Sequence, residues 1–367
     1  MRILLTGATG TLGSQVLFSL LQERHTEIDH IYLPVRPKKG TAPLQRIKNM
    51  LQSPFAPAHI KEQWDQMMAK ITVVNAQQLL DPASFLKGRR LSHFIHSAGL
   101  VNLSTAQEAK DEIFKENLDF TKDILNAYRD HMGKFIYIST AFSAGDVGGV
   151  LQNDYLKTAP DTYRNHYEAS KFAAEKYVAA WGRDTQLPVQ ILRPSVLGGN
   201  ILGTPCFFIS KYMVFYLFAK FFHRNGNAGA VRITAAPQSG LNIIPTDYAA
   251  MVICRVFDRD IDQLNIVHHT ATNVQQGIEK ILEAVNFDNF SFTATPLNRA
   301  NGFENKLERF YYSTIGLHLT PYLTGKPCHW DTTLLEAILP IPAYDLETYL
   351  QGTIQFAKVS GFKNQPW

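Results

Sequence analysis

Thr6-Gly7-Ala8-Thr9-Gly10-Thr11-Leu12-Gly13 follows the short apolar run Arg2–Thr6 and opens a helical pattern over Leu12–Gln22. Strand, glycine-rich turn and helix, in that order, are the parts of a dinucleotide phosphate loop. Gly7 permits a tight turn. Gly10 lets backbone amides approach a pyrophosphate, and Gly13 lets the helix pack closely on the sheet. The helix N-terminus, with Thr6, Thr9, Thr11 and Leu12 around it, offers orphan N–H groups and positive potential to phosphates. Glycines alone are a weak signal, so the flanking pattern decides.

Apolar runs at His30–Arg36, Ile71–Asn75, His93–Ser97, Phe135–Ser139 and Val189–Arg193 alternate with helical patterns. The latter cover Leu44–Leu51, Ile60–Lys70, Ala106–His131 and Tyr167–Trp181. This alternation predicts an α/β chain with a Rossmann-type, doubly wound parallel sheet and ligands along its carboxyl edge. After Arg193 the pattern changes. Gly198–Pro205 reads as a loop. Thr204 and Pro205 read as N-cap and first turn of a helix over the aromatic run Phe207–Phe222. Gly226–Gly240 is polar and glycine-rich. Leu241–Ile244 and Leu264–His268 read as strands, with Pro245-Thr246-Asp247 capping a helix over Tyr248–Phe257. The remainder reads as helix and loop. We expect a nucleotide-binding domain of residues 1–197 and 241–270, and a smaller, mostly helical substrate-binding domain of residues 198–240 and 271–367.

Composition sets wide bounds. A chain of 367 residues with 45% apolar and 19% charged side chains is ordinary for a globular protein. At this size it can bury about 75% of its unfolded surface and needs no metal or disulfide to fold. The 36 Lys+Arg and 32 Asp+Glu leave +4 with no basic block, which speaks against nucleic acid. Cys206, Cys254 and Cys328 are odd in number and far apart, so no disulfide framework or metal site is expected and a cytoplasmic setting is the default. The start MRILLTG is too short an apolar run for a signal peptide. The run Cys206–Phe222 is interrupted by Lys211 and Lys220 and is too short to span a membrane.

Chemistry enters at Tyr167 and Lys171, four residues apart on one helix face. A neighbouring cation makes a tyrosine a usable proton donor and acceptor. The strand Phe135–Ser139 leads to Ser139 and Thr140, whose hydroxyls can donate to a substrate carbonyl oxygen. Strand register favours Thr140, with Ser139 as the alternative. The second strand ends at Arg36, where an acidic residue would hold the ribose hydroxyl of NAD. A cation there favours the 2′-phosphate of NADP, and Lys38, Lys39 and Arg46 lie nearby.

These residues together resemble the extended short-chain dehydrogenase/reductase superfamily. The loop resembles TGxxGxxG, and Thr140, Tyr167 and Lys171 resemble its catalytic set. Asn117 in ENLDFT falls where that superfamily has an Asn supporting the Lys through water, although Phe120 replaces the usual Gly. Ile191-Leu192-Arg193-Pro194-Ser195 resembles the RPxxVxG segment beside the nicotinamide, and Asn242–Tyr248 resembles vPvDyva. Further features resemble the fatty acyl-CoA reductase and thioester reductase (male-sterility-type) branch. They are Ser139-Thr140-Ala141-Phe142, the pair Arg36 and Arg46, His96-Ser97-Ala98-Gly99-Leu100-Val101-Asn102 and Tyr167–Glu175. Tyr322-Leu323 through His329-Trp330-Asp331 loosely resembles its C-terminal module. Asn75-Ala76-Gln77-Gln78 departs from the usual GDL, leaving Gln77 for the adenine.

The resemblance implies an NADPH-dependent reductase acting on a carbonyl or on an acyl thioester carried by CoA or a separate carrier protein. Implied cofactor contacts are Thr6 to Gly13 (without Ala8), Arg36, Arg46, Gln77, Ser97, Ala98, Gly99, Tyr167, Lys171, Pro194 and Ser195. Rival readings are a sugar-nucleotide epimerase/dehydratase or ketone/alcohol dehydrogenase, and a non-catalytic NADP-sensing module. The aromatic segment Phe207, Phe208, Tyr212, Phe215, Phe218, Phe222 has three readings: core packing, a wall for an acyl chain lined by Phe207, Tyr212 or Phe215, or a helix lying on a membrane. His93, His96, His268 and His269 have no metal-ligand spacing and read as structural.

Overall fold

A computed structural model describes residues 1–157, 160, 162–226, 228–297 and 302–367. Residue 227 of the Gly226–Gly240 stretch and residues 298–301 of the tail lie outside the described residues.

Seven strands form one parallel sheet: β1 (Arg2–Thr6), β2 (His30–Val35), β3 (Ile71–Asn75), β4 (Leu91–His96), β5 (Met132–Ile138), β6 (Val189–Pro194) and β7 (Gln263–Ile266). Their order is β7-β6-β5-β4-β1-β2-β3. The order reverses between β1 and β4, where Thr6 is paired with His96. Such a switch point opens a crevice at the strand carboxyl ends. Ile3, Leu4 and Leu5 are wholly buried, because both sheet faces are covered.

Helices α1 (Thr11–Glu23), α2 (Phe120–Tyr128), α3 (His166–Thr185), α4 (Phe215–Arg224), α5 (Thr246–Val256), α6 (Val274–Ala284), α7 (Ile315–Leu323) and α8 (Leu346–Val359) position the site. Val16, Leu17 and Leu20 of α1 pack with Val252 and Ile253 of α5 on one sheet face. Ile124, Leu125 and Tyr128 of α2 pack with Ala174 and Val178 of α3 on the other. A separate core joins α4, α6 and α8 with Leu319 and Leu323 of α7. The second lobe is built on that core.

The structure departs from expectation chiefly after Arg193. Pro205 does not open a helix; the helix of the aromatic run begins at Phe215. Residues 207–214 cross between two cores. Phe208 stacks on Phe55 at 4.0 Å in the first, while Ile209 and Tyr212 enter the second. Burial on two sides overrides helical propensity here. Leu241–Ile244 is two strands: Gly240–Leu241 pairs antiparallel with Thr272–Asn273, and Ile243–Pro245 pairs parallel with Val196–Gly198. Pro245-Thr246-Asp247 does open α5, with Pro245 at the N-cap and the Asp247 carboxylate accepting the Tyr248 amide at 2.9 Å, but the helix starts earlier than expected. Thr246 is its first residue, and Asp247 accepts the amides of Ile201, Leu202 and Gly203 at 2.7–3.1 Å. The tail contributes strands as well: Phe290–Thr293 pairs with Val231–Thr234, and Cys328–Trp330 with Gly149–Leu151.

Candidate active site

The phosphate loop is held by contacts that only glycine allows. Gly7 has φ +73°, and a Cβ there would meet Ser97 and Ala98 backbone atoms at 2.9 Å. A Cβ on Gly13 would strike the Gly7 carbonyl. The Thr6 hydroxyl accepts the Ser97 and Ala98 amides, both at 3.1 Å. Its own proton therefore goes to His96 Nδ1 at 2.8 Å. Burial pushes His96 down to about 3, so its ring is neutral and can accept. The Thr6–His96 pair thus ties the end of β1 to the end of β4. Helix α1 has no side-chain cap and no acid in its first turn. Its first amides remain available to an anion.

Beside the loop, Arg46 is buried at 6% exposure. It donates to the Arg36 carbonyl at 2.6 Å and to Thr9 Oγ1 at 3.0 Å, while its Nε has no partner. Arg36 itself is exposed at the end of β2. Gln77 is exposed in the turn after β3, with its amide on Asn75 Oδ1 at 3.1 Å. The open glycine cradle and the free helix amides fit a dinucleotide pyrophosphate, with the orphaned Arg46 Nε beside them.

Helix α3 carries Tyr167, Lys171 and Glu175 on one face. Its N-cap Asn165 accepts the Glu168 amide at 3.0 Å and donates to the Tyr322 hydroxyl at 2.7 Å, so α7 of the second lobe touches the catalytic helix. Lys171 Nζ donates to the Ile138 carbonyl at 2.8 Å and lies 4.1 Å from the Tyr137 ring centroid. Burial lowers Lys171 to about 7, against the opposing pull of Glu175. Burial raises Tyr167 far above the ordinary phenol value, and a hydrogen bond with Thr140 draws it partly back. Asn117 sits in a single π-helical turn, Lys115–Asp119, a local widening frequent at functional sites. Its side chain accepts the Leu100 amide at 2.8 Å and donates to the Leu100 carbonyl and Ser170 Oγ, both at 3.0 Å. Asn117 thereby fastens the loop after β4 to α3, with no direct bond to Lys171.

Ser139 and Thr140 face different partners. Ser139 Oγ donates to Glu175 Oε1, as does Ser143 Oγ at 2.6 Å. Arg193 Nε donates to Glu175 Oε2 at 2.9 Å, and both side chains are 0% exposed. Thr140 Oγ1 accepts the Phe142 amide at 3.3 Å, which leaves its proton to donate to Tyr167 or to a substrate. The Glu175–Arg193 pair was not singled out from sequence, although Glu175 lies one turn beyond Lys171 on the same face.

A cavity of about 390 Å³ runs from Gly10–Gly13 past Ser97–Gly99, Thr140, Tyr167, Lys171, Pro194 and Ser195 into the second lobe. Its far end is walled by Ile209, Val214, Phe215, Phe218, Ile278, Ile281, Leu319 and Leu323. Among the described residues lining it there is no Asp or Glu. Phe207 and Tyr212 are not part of the wall. Phe207 packs on Tyr349, and the Tyr212 hydroxyl bonds Ser360 Oγ at 2.7 Å. Phe208 and Phe222 belong to the two cores. Trp330 and Cys328, from the tail strand, line the mouth with Leu151. Among the described residues no cluster of metal ligands occurs, and no helix is long and apolar enough to cross a membrane.

Comparison with known proteins places this geometry. Fatty acyl-CoA reductase wat of Drosophila melanogaster is 27% identical over 225 residues, 53% of this chain and 42% of that protein. The chain spans about half the length of the curated relatives it matches. The terminal R domain from the myxalamid PKS-NRPS biosynthetic pathway superposes with a TM-score of 0.70 at 20% identity, covering 100% of this chain and 92% of that one. UDP-glucuronic acid 4-epimerase from Bacillus cereus, in complex with UDP-glucuronic acid and NAD, gives 0.66 at 16% identity, covering 98% and 100%. At such identities these two structures speak to the fold alone: a Rossmann-type, doubly wound parallel sheet. The family model described as male sterility protein matches residues 5–253, and the chain belongs to that family.

Proposed function

We propose that this chain is an NADPH-dependent reductase of acyl thioesters, with the acyl chain lying in the apolar end of the cavity. The observation that carries this reading is that end wall, from Ile209 to Leu323, with no carboxylate on its lining. A sugar nucleotide would leave its hydroxyls unpaired there, at a cost of about 1–3 kcal/mol for each buried group. Relatives named as fatty acyl-CoA reductases support the same choice. Arg36 at the end of β2 and the orphaned Arg46 Nε support NADPH over NADH.

The Gly7–Gly13 loop and the α1 amides would hold the pyrophosphate, Arg36 and Arg46 the 2′-phosphate, and Lys171 the nicotinamide ribose. When bound, the reduced cofactor supplies a hydride to the carbonyl carbon. Thr140 donates a hydrogen bond to the substrate oxygen. Tyr167, kept protonated by burial, gives that oxygen its proton as negative charge develops. Lys171 stabilises the tyrosinate left behind. A thioester so reduced becomes a hemithioacetal. Its C–S bond then breaks, the hydroxyl proton passes to sulfur, and an aldehyde and a free thiol leave.

The test is NADPH consumption by the purified chain against acyl-CoAs, aldehydes, ketones and sugar nucleotides, with products identified by mass spectrometry. Aldehyde or alcohol from an acyl-CoA is expected. Turnover of a polar ketone or sugar nucleotide alone contradicts the proposal.

A further inference from the structure

Lys211 stands at the junction of the two lobes. It lines the same cavity as Gly10–Gly13, yet belongs to the segment that carries Ile209, Met213 and Phe215 into the apolar wall. It is half-buried; its neighbour Ser210 accepts the Gln365 amide at 2.8 Å and Lys38 donates to the Trp367 carbonyl at 3.3 Å, so one short stretch ties its segment to the side where Lys38, Arg36 and Arg46 stand, and these three cations repel its charge. No hydrogen bond or ion pair engages its ammonium among the described residues. Burial and this mutual repulsion lower the proton affinity of Lys38, Arg46 and Lys211 alike. Three cations come from the nucleotide-binding side and one from the second lobe. Arg46, more than nine-tenths buried, keeps its Nε without a partner. Cations gathered without an acid, one with a buried donor unspent, fit a doubly charged anion.

The segment is also held at both ends. Phe207 and Val214 have φ +65° and +51°, and for a β-branched residue such as Val214 that conformation is a clear outlier. Lys211 is therefore displayed by a stretch whose ends are set by the surrounding packing.

We propose that Lys211 is the second lobe's ligand for the 2′-phosphate of the dinucleotide, so that reading the cofactor and placing the acyl wall fall to one segment. The proposal rests on the NADPH reading above. It adds a specificity-determining residue from outside the nucleotide-binding half.

The experiment is calorimetric titration of the full chain, as wild type, Lys211→Met and Lys211→Arg, with NADPH, NADH and 2′,5′-ADP. Losing a charge-assisted bond should weaken NADPH and 2′,5′-ADP by about 10- to 100-fold in Lys211→Met. NADH should stay within about twofold, and Lys211→Arg should stay near wild type for all three. Unchanged NADPH affinity in Lys211→Met, with wild type still preferring NADPH, overturns the role of Lys211 and spares the cofactor reading. Equal losses for NADPH and NADH overturn it as well, because the contact is then not the 2′-phosphate. A wild type without preference for NADPH overturns both.

Discussion

Tyr167 keeps its proton because it is buried, the Thr140 hydrogen bond pulls the other way, and in the proposed reaction Lys171 stabilises the tyrosinate. Tyr167→Phe removes the donor with little change of shape. Turnover should fall roughly 10²- to 10⁴-fold while NADPH still binds, measured by stopped-time assay and fluorescence titration. Near-wild-type turnover would remove Tyr167 from the chemistry. Lys171 adds a pH dependence. Its pKa is lowered to about 7, so it is charged below that pH and neutral above. The charged form assists proton release, so kcat/KM for reduction should decline as pH rises through about 7, along a one-proton limb. His96 is neutral throughout this range and contributes no limb. A profile flat between about pH 6 and 9 would contradict the role given to Lys171. The shared placement of Tyr167 and Lys171 on the cavity was legible in the sequence because a helix repeat puts them on one face. Lys211 was not, since its meaning depends on Arg36, Lys38 and Arg46, which approach it only through the fold.

At the scale of elements, α3 is the part on which the site depends, and Glu175 is its anchor. That carboxylate gathers Ser139, Ser143 and Arg193 in a buried cluster joining α3 to β6 and to the residues just after β5. Glu175→Gln keeps an acceptor for the hydroxyls but takes from Arg193 the carboxylate it is hydrogen-bonded to. Breaking such a pair costs about 3–5 kcal/mol, so the melting temperature should drop by about 5 °C. The double variant Glu175→Gln, Arg193→Met removes both charges and should recover most of the loss in the same melting assay. A single variant as stable as wild type would show that the pair does not anchor α3. The phosphate loop and the sheet could be read from sequence because strand, turn and helix are local and consecutive. The segment 207–214 could not: its aromatics look like one helix face, yet Phe208 and Tyr212 are drawn into different cores. The short strands Phe290–Thr293 and Cys328–Trp330 were equally hidden, because each is defined only by a distant partner.

Across the whole molecule, one lobe presents the glycine loop and Tyr167, and the other supplies the apolar end of the same cavity. On the acyl-thioester reading proposed above, the first lobe would hold the dinucleotide and the second the acyl chain. The wall's composition was foreseeable only in part. Phe215 and Phe218 belong to the aromatic segment that has an acyl-chain wall among its readings, but Ile278, Ile281 and Leu319 come from helices whose placement no local pattern reveals. The measurement that tests the account most directly is kcat/KM for a series of acyl-CoAs from about C4 to C16 with NADPH as reductant. Each methylene buried against the wall is worth about 0.8 kcal/mol, so kcat/KM should climb about fourfold per carbon until the cavity is full and then level off. A flat series, or no NADPH consumption with any member while a sugar nucleotide or polar ketone reacts, would contradict the account.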